Sequence, residues 1–105
     1  MATLYIEEFA TVAEATNLTG PSLTTAQAAK FPSIAGQTIT ITGVSAQSAA
    51  FSTTTTLVRV ETDAVCSILI GNNPTAVTTR MRMQVGQTEY FGVRPGDKIA
   101  AITNT

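Results

Sequence analysis

The chain has 105 residues, 44% of them hydrophobic but only 12% charged and 6% aromatic, with a formal net charge of −1. It carries no His, no Trp and one Cys. A Ser-His-Asp triad, a Cys-His dyad, a Cys/His zinc site and an intrachain disulfide are therefore excluded, and the near-neutral balance is not that of an electrostatic nucleic-acid binder.

Residues 3–9 read as a first extended segment with Leu4, Tyr5, Ile6 and Phe9 as its apolar members. Glu7 and Glu8 are adjacent, so on a strand they point to opposite faces and cannot form a close acid/base pair. They are expected on a solvated or partner-facing edge. Residues 10–15 suit a short helix by composition. Asn17-Leu-Thr-Gly-Pro21 breaks the chain. Residues 20–36 are expected to form a loop or arm with at most one helical turn, stopped by Pro32. Residues 1–15, MATLYIEEFATVAEA, have no basic start and carry three Glu, so no secretory signal is expected.

Residues 37–42, QTITIT, alternate cleanly, with Ile39 and Ile41 on one face. Residues 43–52 are small and polar, with Val44 and Phe51 as candidate anchors. Residues 55–62 predict a second strong strand, Val58 and Val60 on one face and Leu57, Arg59 and Glu61 on the other. Glu61 and Asp63 have no third acid nearby, too few oxygens for calcium. Residues 65–70, VCSILI, are apolar on both faces and predict a central strand, in which Cys66 is a buried small hydrophobe. Gly71-Asn-Asn-Pro74 predicts a turn.

Residues 76–85 alternate again. Met81, Met83 and Val85 are expected inward, and Arg80 and Arg82 outward from one strand face, either toward an acidic partner surface or simply as part of a solvated sheet face. Residues 88–93 follow, with Gly92 as a candidate bulge. Arg94-Pro-Gly-Asp97 suits a type II turn. Residues 98–102 end the series.

About seven short strands at 8–12-residue spacing predict an all-β fold, a single β-sandwich or jelly-roll-like domain with an extended N-terminal segment. The organisation expected is an N-terminal strand, arm and loop over 1–36 and a sandwich core over 37–105. Of the 105 residues 20 are Thr, which is β-branched and gives a sheet polarity without charge. Neither a catalytic residue, a metal ligand set, a cofactor motif nor a membrane span is read from the sequence.

Several phrases occur together: MATLYIEEFA at the start, Ala50-Phe51, the stretch 56–68 (TLVRVETDAVCSI), GNNPTA over 71–76 and GQTEYFGV over 86–93. In combination they resemble a family of small structural proteins of tailed phages, similar to head decoration or cement proteins. The resemblance spans most of the chain apart from 11–35. It implies a virion location on the capsid surface, the major capsid protein as partner, and a homo-oligomer, dimer or trimer. It implies no membrane, nucleic acid or cofactor.

Under that expectation the interface candidates are Leu4, Tyr5, Ile6 and Phe9, adding as a strand to a partner's sheet, together with Phe31, Arg80 and Arg82. The alternative for residues 3–9 is simply the first strand of the chain's own sandwich. Alternative functions are a tail, neck or fibre-associated virion protein, or a carbohydrate-binding sandwich for host adhesion. The last is weakened by the absence of Trp and the presence of only 2 Tyr.

Overall fold

The computed structural model describes residues 2–10 and 32–104 in full and the backbone of 12–16 and 23–29. Among these residues there is no helix. The elements are β1 (Thr3–Phe9), β2 (Val12–Thr16), β3 (Leu23–Ala29), β4 (Ala35–Thr40), β5 (Ala46–Gln47), β6 (Leu57–Thr62), β7 (Cys66–Gly71), β8 (Arg82–Met83), β9 (Thr88–Gly92) and β10 (Lys98–Thr103). Two four-stranded antiparallel sheets, ordered β4-β1-β6-β9 and β5-β10-β7-β8, form a β-sandwich.

The expected fold class is therefore the observed one; for residues 3–9 the alternative of a first strand of the chain's own sandwich holds, whereas the segment after it differs from its reading. β1 is flanked by β4 on one side and β6 on the other. Its backbone is used on both edges, so it cannot add to a partner's sheet, and it belongs to the sandwich rather than to an arm. Leu4, Ile6 and Phe9 are at most 1% exposed. Burying a Leu or Ile side chain contributes about 2 kcal/mol, which commits these residues to the core and not to an interface.

Where a short helix and a loop are expected, β2 and β3 form an antiparallel ribbon that pairs only with itself. An isolated helix shorter than about 12–15 residues is marginal in water. Strand pairing lets these two short segments satisfy each other's backbone instead. The molecule measures 53 Å along its long axis, whereas a seven-residue strand spans only about 23 Å.

Between the sheets, alternate residues interdigitate. Leu4 and Ile6 from β1, Ile39 from β4 and Val58 and Val60 from β6 meet Cys66 and Ile68 from β7, Met83 from β8 and Ile99 and Ala101 from β10. Phe51 also joins this core, whereas Val44, the other expected anchor, is exposed. The β6–β9 ladder runs through Gly92 without a register shift, so no bulge forms there. Gly96 has φ +84° and the Asp97 N–H donates to the Arg94 carbonyl at 3.1 Å, the type II geometry that Pro95-Gly96 favours.

β7 is central, as its two apolar faces predict, because its outer face is also covered. Residues 72–81 fold back over the second sheet as a strap. The Gln47 side-chain amide donates to the Asn73 side-chain oxygen at 2.9 Å and the Pro74 carbonyl at 2.7 Å. The Ala76 N–H donates to Ser45 Oγ at 2.8 Å, and Asn104 Nδ2 donates to the Thr78 carbonyl at 2.8 Å and to Ser67 Oγ at 2.6 Å. Under this strap Ser67 and Ala100, both on the outward side of their strands, are fully buried.

Candidate functional site

The sandwich has two sides where sheet edges meet, and they differ. Along the β4–β5 side the gap is stitched by polar side chains. Gln37 Nε2 donates to the Ala49 carbonyl at 3.2 Å, and the Ala49 N–H donates back to Gln37 Oε1 at 2.9 Å. Glu8 points inward from β1 and is only 3% exposed. Its carboxylate accepts from the Ser52 N–H at 2.9 Å, the Thr55 hydroxyl at 2.8 Å and Gln37 Nε2 at 3.2 Å. Glu8 therefore does not lie on a solvated edge. Three donors replace its hydration, which is the condition for burying a carboxylate.

The β8–β9 side is open. β9 pairs with β6 alone, and β8 has only two residues. The cause lies just before β8. Residues 77–80 turn, with the Arg80 N–H donating to the Val77 carbonyl at 3.2 Å, and Met81 then takes φ +36°. A non-glycine residue in this region is strained, and it ends the regular strand.

The alternation expected over 76–85 fails for that reason. Met83 is buried opposite Cys66, but Met81 and Val85 are 43% and 64% exposed. Arg80 and Arg82 are both exposed as expected, but one leaves a turn and the other a two-residue strand.

An open trench results. Its larger part has a volume of about 550 Å³ and is lined by Leu69, Ile70, Met81, Phe91 and Val93, with Arg80, Arg94 and Asp97 as its charged members. Its smaller part, about 160 Å³, is lined by Met81, Met83 and Phe91 with Arg82, Gln87 and Glu89. Met81 and Phe91 border both. Arg94 is absent from the sequence-derived candidates. It is 12 positions beyond Arg82, and no spacing rule links a turn residue to a strand across the sandwich.

The β9 edge along the trench is a row of unpaired backbone. The Val93 N–H donates to the Thr56 carbonyl at 2.9 Å and the Gln87 carbonyl accepts from the Thr62 N–H at 3.4 Å. With the β6–β9 register, this phase turns the backbone of Glu89 and Phe91 toward β6. The N–H and C=O groups of Thr88, Tyr90 and Gly92 face away.

The remaining candidates are scattered. Tyr5 lies on the outer face of the first sheet, 47% exposed, facing Thr38 and Glu61 across its neighbours. Tyr90 shares that face opposite Arg59 and is 48% exposed. Phe31 lies outside the described residues. Asp63 Oδ1 accepts from the Thr3 N–H at 2.6 Å, a structural use of that carboxylate. Cys66 is buried beside the Thr62 hydroxyl at 3.5 Å. Burial pushes its thiol above the ordinary value, with the Thr62 contact opposing, so it is held in the unreactive protonated form.

Among the described residues no cluster of three or more His, Cys, Asp or Glu side chains forms a metal site. What the trench offers is hydrogen-bonding edge, apolar wall and guanidinium charge, the means of holding a chain segment. Comparison of this chain with protein-family models, with curated proteins and with solved structures gave no match in any of the three.

Proposed function

We propose that this chain is a non-enzymatic structural protein of a tailed-phage virion, a decoration or cement protein that binds and stabilises the major capsid shell. The observation that carries this reading is the β2–β3 ribbon, whose strands pair with each other and, among the described residues, with neither four-stranded sheet. A lone two-stranded ribbon is marginal in water and gains stability when its faces and edges meet another body. A cement protein supplies and requires such contacts, and many copies on a shell add avidity to weak individual ones. The phrases that resemble phage decoration proteins support the same assignment.

The test is particle stability. Particles assembled without the protein are expected to lose integrity at lower temperature and lower ionic strength than particles decorated with the full chain. Equal survival sinks the cement role. Quantitative mass spectrometry of virions then gives the station: hundreds of copies fit a shell, whereas a dozen or fewer indicate a neck or tail part.

One observation favours a second reading, carbohydrate adhesion. Tyr5 and Tyr90 share the outer face of the first sheet, each about half exposed, with Arg59 and Glu61 in the strand between them. Sugar sites combine such aromatic faces with polar handles. Glycan-array binding lost in Tyr5→Ala and Tyr90→Ala would support it.

A further inference from the structure

We propose that the open β8–β9 side is an acceptor site for an extended, carboxylate-bearing segment of a partner protein, which adds to the sheet as a new strand on β9. The inference is independent of whether that partner is a capsid subunit. It also reverses the expected direction of strand addition: β1 has no free edge to donate, whereas β9 has one to offer.

Three observations converge. The first is the backbone. Thr88, Tyr90 and Gly92 each present one donor and one acceptor to the open side, at successive spacings of about 6.8 Å, the repeat of an incoming strand. Gly92 adds no side chain at the edge.

The second is the wall. An added strand sends alternate side chains into the space between the sheets, where Phe91, Val93 and Met81 line a volume of about 550 Å³. The two-residue β8 leaves this space unfilled from the other sheet.

The third is charge. Arg80, Arg82 and Arg94 line the trench against Glu89 and Asp97, a local balance of +1 in a chain whose net charge is −1. Glu89 already accepts from Gln87 Nε2 at 3.1 Å. Arg80 and Arg94 line the same larger part beside Gly92, so a carboxylate of the incoming segment belongs at that end. Arginine's fixed fork of donors suits a carboxylate there. The occupant fitted by all three is an extended segment with small apolar residues at alternate positions, facing the trench, and a carboxylate at the end that lies beside Gly92, Arg80 and Arg94.

The experiment is an NMR titration of the full chain with a synthetic seven-residue peptide of alternating Val and Ser that carries Glu at each end, blocked at both termini. Saturable binding is expected, with the Thr88, Tyr90 and Gly92 amides shifting and becoming protected from exchange. Replacing Glu by Lys in the peptide, or Arg80→Ala with Arg94→Ala in the protein, should weaken binding at least about tenfold. Methylating alternate peptide nitrogens removes the ladder but keeps the charge, and should abolish binding without touching the protein's fold.

The proposal fails if the Lys or N-methylated peptide binds equally well. It fails if shifts map to the outer face carrying Tyr5, or if nothing binds up to about 1 mM. It also fails if these amides are already protected in a concentration-dependent way without peptide, since a second copy is then the occupant.

Discussion

The two sides of this sandwich solve the same problem in opposite ways. Each is a place where two sheet edges come together and backbone is left over. On the β4–β5 side, Gln37 and Glu8 reach across and consume the spare donors and acceptors of residues 49–55. On the β8–β9 side, Met81 breaks the strand and the β9 edge stays bare. Exposed edges are the usual route by which sheets associate, and proteins normally cover or blunt them. The difference teaches that the closed side is built for stability, whereas the open side is where this fold can receive another chain.

If that contrast is right, equivalent truncations on the two sides have unequal costs. Phe51 is 3% exposed and lies between Ala49 and Ser52, whose backbone N–H groups donate to Gln37 and Glu8 on the closed side. Phe51→Ala is expected to destabilise by about 4 kcal/mol, read from the midpoint of urea unfolding. Phe91→Ala, on the half-open side, should cost only about 1.5 kcal/mol, because much of its surface already lines the trench. Equal losses would erase the distinction.

Glu8 comes next. Glu8→Ala leaves the Ser52 N–H, the Thr55 hydroxyl and one Gln37 donor without their acceptor, and should cost about 3 kcal/mol. Glu8→Gln keeps an acceptor for two of them but sets an amide donor against the Gln37 donor. An intermediate loss is expected, again by urea unfolding.

The smallest effect is a pH dependence at the core that both sides share. The folded Cys66 thiol lies above its ordinary value of 9.0. Below that value both folded and unfolded thiols are protonated, and the stabilisation is fully present. Above it the unfolded thiol ionises first, so the unfolded state binds fewer protons and stability falls until the folded pKa is passed. Unfolding midpoints should therefore decline more steeply above about pH 9 in the native chain than in Cys66→Ser. Parallel curves would place the thiol in contact with solvent.

Much of the β-rich half was legible because its cues are local. QTITIT and LVRVET carry their faces in their alternation, VCSILI carries its central place in being apolar on both faces, and Arg94-Pro-Gly-Asp97 carries its turn in the two residues that permit it. The ribbon was not legible. Its Ala-rich strands have no strong period. The Arg80 and Arg82 candidates were visible as exposed charge, but their partner across the trench, Arg94, was not. Nor was the role of Glu8, since the same side chain suits a solvated edge or a buried, fully bonded one.

The sequence by itself determined the class of fold, the inward faces of the long strands and the absence of histidine chemistry, because composition and period-two patterning act within a few residues. Beyond β7, whose two apolar faces already mark it as central, tertiary structure alone decided which strands are inner and which are edges. That choice sends β1 into the middle of a sheet and leaves β9 at its border. It depends on non-local pairing, between residues 3–9 and 57–62 for example, whose outcome rests on the sum of long-range burial and hydrogen bonding rather than on any local signal.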